Sequence, residues 1–385
     1  MRQGRSSSLS VSTTKTTTTT TDSSRSGFLQ WLLDRALESP LWKHVLVPQA
    51  RQKIVQTAMA NGIDWMQAKE WLESQPGPWR EPMVNHHDRY EIPEYYIKPF
   101  HAYENGNLCW DAALEAEIAS AAVGARNFPK FGVHGESAFR DAFDASLARI
   151  VPEPVPDKAI MVDLGCGVGT STRRLAQNHP QAAQIVGLDM SPYFVEVGKT
   201  LLELEPNSMF RNATDGGTWI NSIERDERIE LRVGDAAKTG IASDSVDVVN
   251  LQFVAHELPS AVTLEVLREA HRILKPHTGQ LWFCEMDFET PAYAAQRSNA
   301  LLFALIRSTE PYLDDYADHA PAFRALLANL FATTTIAPAT GRHFAIVSRK
   351  GDNNDKNGVL TDLRFDEHGV YRVEDTHLQV WENKD

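Results

Sequence analysis

The chain has 385 residues, more than a single domain usually holds, so one enlarged domain or two are expected. Its formal net charge is −13, with no run of Lys and Arg beyond the first few dozen residues; this excludes a nucleic-acid backbone as the main partner, because neutralising phosphates takes a basic footprint. No apolar stretch approaches bilayer-spanning length, and the scattered Cys109, Cys166 and Cys284 fit neither a disulfide framework nor a metal-ligand spacing, so a reducing, intracellular setting without a bound metal is expected.

Residues 1–27 are rich in Ser and Thr, with four basic residues and one acid. Two readings stand: a disordered tail that leaves the protein in the cytoplasm, or a transit segment addressing a plastid. Residues 28–154 read as an N-terminal helical region with an extended arm. Leu29, Leu32, Leu33, Ala36 and Leu37 recur at helical spacing until Pro40. A second helix runs from about Pro48 to Asn61-Gly62, and Asp64 caps a third that carries Trp65, Ala68, Trp71 and Leu72. Residues 76–110 then hold five prolines and many aromatics, which exclude a long helix. That arm is either a packing strap for Trp79, Tyr95, Tyr96 and Phe100 or a lid over a site. Helices at about 110–125 and 136–150 lead to the linker "VPEPVPDK".

Residues 155–350 alternate between strand and helix, the pattern of a parallel sheet covered on both faces. Strands are predicted near 159–164, 184–189, 229–234, 246–252, 280–286, 332–337 and 343–349, and helices near 170–178, 192–204, 259–274, 292–308 and 320–330. The loop at 206–228 has no assigned role, and the polar tail 351–385 carries enough alternation for a short hairpin.

The stretch "IMVDLGCGVGTST" sets three glycines between a buried strand and a helix, at the sheet edge where open α/β folds bind ligands. A dinucleotide fingerprint needs its third glycine at position 170, which is Thr170; here it is Gly169, and Asp163 precedes the turn. A carboxylate there suits a cationic ligand better than a pyrophosphate. S-adenosylmethionine, with its ammonium and sulfonium, fits. Asp189 ends the next strand twenty residues past Gly169, placed to accept both ribose hydroxyls, and Asp235-Ala236 end the third.

Together these segments resemble the class I S-adenosylmethionine-dependent methyltransferases. "VDLGCGVGT" is similar to their first motif, "IVGLDMS" to the second, "LRVGDAA" to the adenine motif, and "DVVNLQFVAHELP" and "EAHRILKPHTGQLWFCEMD" to the later strands and helix. The resemblance implies a doubly wound, seven-stranded Rossmann-like sheet. It also implies cofactor contacts from Asp163, Gly165, Gly167, Gly169, Asp189, Met190, Asp235, Ala236 and Gln252. Asp235 would accept from the adenine amine while the neighbouring backbone reads the ring. "PEYYIKPFHAYENGNLCW", "RSTEPYLDDY" and "EDTHLQVWENK" resemble an uncharacterised branch from plants, algae and cyanobacteria.

Methyl transfer from a sulfonium needs alignment and exclusion of water, with a base only if the acceptor must lose a proton. His256 is the candidate base and Glu257 its orienting partner, or the two simply cap the following helix. Tyr103, Glu310, Tyr312 and Asp315 are candidate contacts to a small-molecule acceptor; paired acids such as Asp314-Asp315 are equally at home on a solvated helix face. Cys166 is explained by the tight turn alone, and His86-His87 and His101 by packing or surface positions. Three alternatives stay open: a quinone-type C-methyltransferase, a nicotinamide-dependent oxidoreductase, and a catalytically silent nucleoside-binding module.

Overall fold

A computed structural model describes residues 47–81, 83, 91–204, 209–211, 218–221, 226–299, 303, 306–307, 309–352 and 358–372. The Ser/Thr-rich tail, the helix expected at Leu29–Leu37, His86-His87 and the motif "EDTHLQVWENK" lie outside the described residues.

Among the described residues, four α-helices precede the sheet: α1 (Val47–Ala60), α2 (Trp65–Glu73), α3 (Trp110–Asn127) and α4 (Gly135–Ile150). Asp64 caps α2 as expected, its carboxylate accepting from the Gln67 amide at 3.3 Å. Between α2 and α3 the described part of the proline-rich arm includes a short 3-10 turn, Glu94–Tyr96. The alternating part then runs β1 (Ile160–Leu164), α5 (Thr170–Asn178), β2 (Gln184–Asp189), α6 (Pro192–Glu203), β3 (Met209–Arg211), β4 (Thr218–Asn221), β5 (Ile229–Val233), β6 (Val248–Gln252), α7 (Ser260–Ile273), β7 (Gln280–Met286), α8 (Pro291–Ser298), α9 (Leu313–Leu330), β8 (Thr333–Thr340), β9 (His343–Arg349) and β10 (Val359–Asp362).

The main sheet has the order β10-β8-β9-β7-β6-β1-β2-β5, with β9 antiparallel to both its neighbours. Its central strands are buried on both faces and are therefore mainly apolar, interrupted by Asp163 in β1 and Asn250 in β6. Val162, Leu164, Val249 and Leu251 pack with Val266 and Leu267 of α7 and with Phe323 and Leu327 of α9. Met161, Ile185, Val248 and Trp282 meet Phe139, Phe143 and Leu147 of α4 and Leu175 of α5 on the other face. A further cluster joins α1–α3 (Ala58, Trp65, Leu72, Leu114, Ile118) to Val197 and Leu201 of α6 and to Val168 of the glycine turn. The N-terminal helices are thereby seated directly beside that turn.

Three expectations are corrected. The sheet has eight strands, because β10 from the polar tail pairs in parallel with β8. Helix α9 begins at Leu313 rather than near 320: Pro321 resembled a helix start, yet it sits on an exposed face while Leu313 and Tyr316 anchor the preceding turns in the core. The helix expected over 292–308 is interrupted, for α8 stops at Ser298 and Asn299 leaves the helical conformation. The loop at 206–228 contains the β3-β4 hairpin.

Candidate active site

Strands β1 and β6 are neighbours whose connections leave in opposite directions, to β2 and to β7, so a crevice opens at their carboxyl ends. The glycine turn after β1 fills it with bare backbone. Gly165 and Gly167 have φ of +68° and +55°, the left-handed region that glycine tolerates. A Cβ at Gly165 would lie 2.4 Å from a Val254 methyl, whereas above Gly167 the nearest atom, on Phe194, is 3.9 Å away. The second position is therefore open to a ligand. The Gly165 and Cys166 amides donate to the Leu188 carbonyl at 2.7 and 3.0 Å, tying the turn to β2.

Asp189 is buried at the tip of β2 and accepts from the Gly167 amide and the Ser191 amide, both at 2.8 Å, and from the Tyr96 hydroxyl at 3.4 Å. Burial raises its carboxyl to about 6, against the pull of those donors. With Met190, Asp235 and Ala236 it lines a cavity of about 150 Å³ roofed by Tyr95 and Tyr96 of the arm and by Tyr312. One Asp235 oxygen accepts from the Ala237 amide at 2.8 Å; the other meets no donor among the described residues. The Tyr312 hydroxyl donates to the Tyr95 carbonyl at 2.8 Å, so Tyr312 belongs to this smaller cavity and pins the arm over it.

A larger cavity of about 900 Å³ opens on the other side of the turn. Tyr103, Gln252 and Glu310 line it, as do residues of α1, α3 and α8. The Tyr103 hydroxyl donates to Glu115, which also pairs with Arg51, and Gln252 accepts from Arg140 at 2.8 Å. Asn107, Gly165, Gly167, Phe194, Phe253 and Glu257 line both cavities and form their common rim. Cys166 also borders the larger one, but its side chain packs with Val195 and Leu231, and burial pushes the thiol far above its usual range.

Four expected site residues sit elsewhere. Asp163 lines neither cavity: one oxygen accepts from Asn250 at 2.7 Å, the other from Ser171 at 2.7 Å and Thr172 at 2.6 Å. Its carboxylate ties β1 to β6 and to the start of α5. Gly169, with φ of +86°, is likewise off both linings and sets the turn into α5. Asp315 accepts from the Ser260 amide at 2.5 Å, capping α7 from a distant helix.

His256 is the fourth. Its Nδ1 lies 2.6 Å from Oε1 of Glu285, a fully buried acid in β7. Burial works against the imidazolium, but Glu285, Glu257 and Glu310 outweigh it and push the ring up to about 10. The surrounding acids thus favour the imidazolium over the neutral ring that a base would need, and His256 lines neither cavity. Neither His256 nor Glu257 caps α7. Glu257 is the neighbour that reaches the rim, where Asn107 donates to it at 3.4 Å. Burial, with repulsion from Glu310, Asp189 and Glu285, raises its carboxyl to about 8 despite the His256 charge.

Sequence reasoning missed Tyr96 on Asp189, Arg140 on Gln252, and Glu285. The last left a signal: one acid within the otherwise apolar strand "LWFCEM".

Comparison with known proteins agrees with this geometry. Residues 162–283 match a family described as "Methyltransferase domain". The chain is 32% identical over 136 residues to the arsenite methyltransferase of Mus musculus, covering 35% of this chain and 32% of that protein. It is 29% identical over 122 residues to the demethylmenaquinone methyltransferase of Bacillus velezensis, covering 32% and 43%. These matches span less than half the length of either relative. An O-methyltransferase family protein from Burkholderia thailandensis superposes with a TM-score of 0.41 at 18% identity, covering 64% of this chain and 62% of that one. Residues 162–283, the stretch that matches the methyltransferase domain family, carry the glycine turn, Asp189, Asp235 and Glu257.

Proposed function

We propose that the protein transfers a methyl group from S-adenosylmethionine to an O, N or C atom of a small molecule seated in the larger cavity. The observation that carries this reading is the shared rim: two cavities meet over the bare backbone of Gly165 and Gly167, with one carboxylate, Glu257, facing both. The smaller cavity suits a nucleoside. Asp189 offers carboxylate lone pairs to a ribose, Asp235 has an unengaged oxygen for an adenine amine, and the space above Gly167 admits a ligand against the main chain. The larger cavity has room for an acceptor and for the methionyl end of the cofactor beyond the rim.

When bound, S-adenosylmethionine supplies a methyl group already activated by a positively charged leaving group. The chain's own task is then alignment and exclusion of water. Tyr95 and Tyr96 roof the smaller cavity, held by the Tyr312 hydroxyl and by the Ser191 hydroxyl, which donates to the Asn107 carbonyl at 2.6 Å. Glu257 is the group placed to take a proton from an acceptor that must lose one, and the His256 cation beside it favours the ionised carboxylate that can do so. The likeness to the plant, algal and cyanobacterial branch rests on the arm and "RSTEPYLDDY" motifs and names no acceptor. Incubation with isotopically labelled S-adenosylmethionine and a metabolite extract, followed by mass analysis, tests the proposal. A labelled small molecule formed by the wild type and not by Asp189→Ala is the expected outcome; no labelled product from any fraction contradicts it.

A further inference from the structure

We infer that the larger cavity takes an anionic, amphipathic acceptor: a carboxylate-bearing molecule whose acid group is held by Arg126 and Arg342 while its apolar body lies along Phe288 and Tyr293. This rests on the reading above that the cavity holds the methyl acceptor.

The inference starts from charge accounting. Most arginines around the site are already paired: Arg51 with Glu115 at 2.5 Å, Arg140 with Glu136 at 2.8 Å, and Arg173 with Glu117 at 2.6 Å. Arg126 and Arg342 both line the cavity, and neither has a carboxylate partner among the described residues. They come from α3 and from the β8-β9 turn, far apart in sequence, yet they converge: both act electrostatically on the Tyr293 phenol and on His343. The Arg342 guanidinium lies 5.8 Å from the centre of the Tyr293 ring. Both residues are exposed and neither guanidinium has an ion-pair partner among the described residues, so both are free to meet a ligand entering the cavity of a chain whose net charge is −13.

The carboxyls that share the cavity offset them only in part. Glu310 reaches the same space, and burial raises its carboxyl toward the neutral acid despite His256 and Arg126. Glu257 is drawn the same way at the far rim. A cationic acceptor would meet the bare guanidiniums, a cost that selects against it. A carboxylate would meet two planar donor forks whose geometry matches it. Beside the arginines, the Phe288 and Tyr293 rings stack at 4.8 Å between centres and offer a flat apolar surface. The acid group therefore anchors one end, and the body extends toward Glu257 and the glycine turn.

The test uses the intact protein saturated with S-adenosylhomocysteine, so that the nucleoside site is filled, and two fluorescent probes of nearly equal shape. One is 8-anilinonaphthalene-1-sulfonate, an anion; the other is N-phenyl-1-naphthylamine, which is uncharged. The anion is expected to bind about tenfold or more tightly than the neutral probe, the scale of one charge-assisted hydrogen bond. Arg126→Ala with Arg342→Ala should abolish that preference while leaving the neutral probe's affinity within about twofold, and Arg126→Lys with Arg342→Lys should retain most of it. Equal binding of both probes, or a preference untouched in the double alanine variant, overturns the inference. Calorimetry of S-adenosylhomocysteine on the same samples separates the two claims: its failure to bind removes the methyl-transfer reading, whereas normal binding without probe discrimination removes the acceptor class alone.

Discussion

The two cavities that meet at Gly165 and Gly167 are built in opposite ways. The smaller is assembled mainly from the ends of adjacent strands, so each key group lies at or just past a strand end: the turn after β1, Asp189 ending β2, and Asp235 just past β5. The larger is gathered from α1, α3, α8, the segment around Glu310 and the β8-β9 turn, which no local pattern connects. The sheet itself positions the cofactor side, whereas the acceptor side depends on how added elements pack against it. The first is expected to tolerate little change, and the second to set specificity.

Breaking the comparison at its rim has the largest expected consequence. Glu257→Gln should lower turnover by about 10²- to 10⁴-fold if the acceptor gives up a proton, with far less effect on cofactor affinity. Because the base works unprotonated, wild-type turnover should climb as pH rises through about 8, a limb that the variant loses. On the cofactor side, Asp189→Ala should weaken S-adenosylmethionine binding about a hundredfold by calorimetry, since two charge-assisted hydrogen bonds disappear. In the wild type that affinity should fall as pH drops below about 6, where the Asp189 carboxylate takes up its proton and becomes a poorer acceptor. Gly165→Ala forces a Cβ to 2.4 Å from Val254 at a φ of +68°. A loss of about 1–3 kcal/mol in chemical denaturation should follow, partly recovered by adding Val254→Ala. His256→Gln should shift the Glu257 limb to higher pH, because the lost cation favoured the ionised carboxylate. The smallest effect belongs to Tyr96→Phe: its hydroxyl reaches Asp189 only at 3.4 Å, so cofactor affinity should change by less than about threefold.

The same contrast explains what the sequence disclosed. Strand-turn-helix signals are local, and they located the glycine turn, Asp189 and Asp235 without tertiary knowledge. They did not say which way a side chain would be recruited. Asp163 stood in the expected motif, yet Asn250 from the paired strand β6 claims it together with Ser171 and Thr172. His256 looked like a base because free imidazole titrates near neutrality; the pairing of β6 with β7 brings Glu285 against it, which favours the protonated ring. Asp315 and Tyr312 were grouped by proximity in sequence, but a helix turn separates their duties, one capping α7 and the other pinning the arm. The eighth strand was hidden by exposure: Val359 and Leu360 are 62% and 43% accessible, so β10 carries little of the buried-strand signature.

The central claim is that the crevice beside Gly167 and Asp189 holds a sulfonium nucleoside. Titration calorimetry with S-adenosylhomocysteine and, separately, with NADH tests it most directly. The account predicts saturable heat from the sulfur ligand, lost in Asp189→Ala, and none from NADH. Heat from NADH with silence from both S-adenosylhomocysteine and S-adenosylmethionine would contradict it.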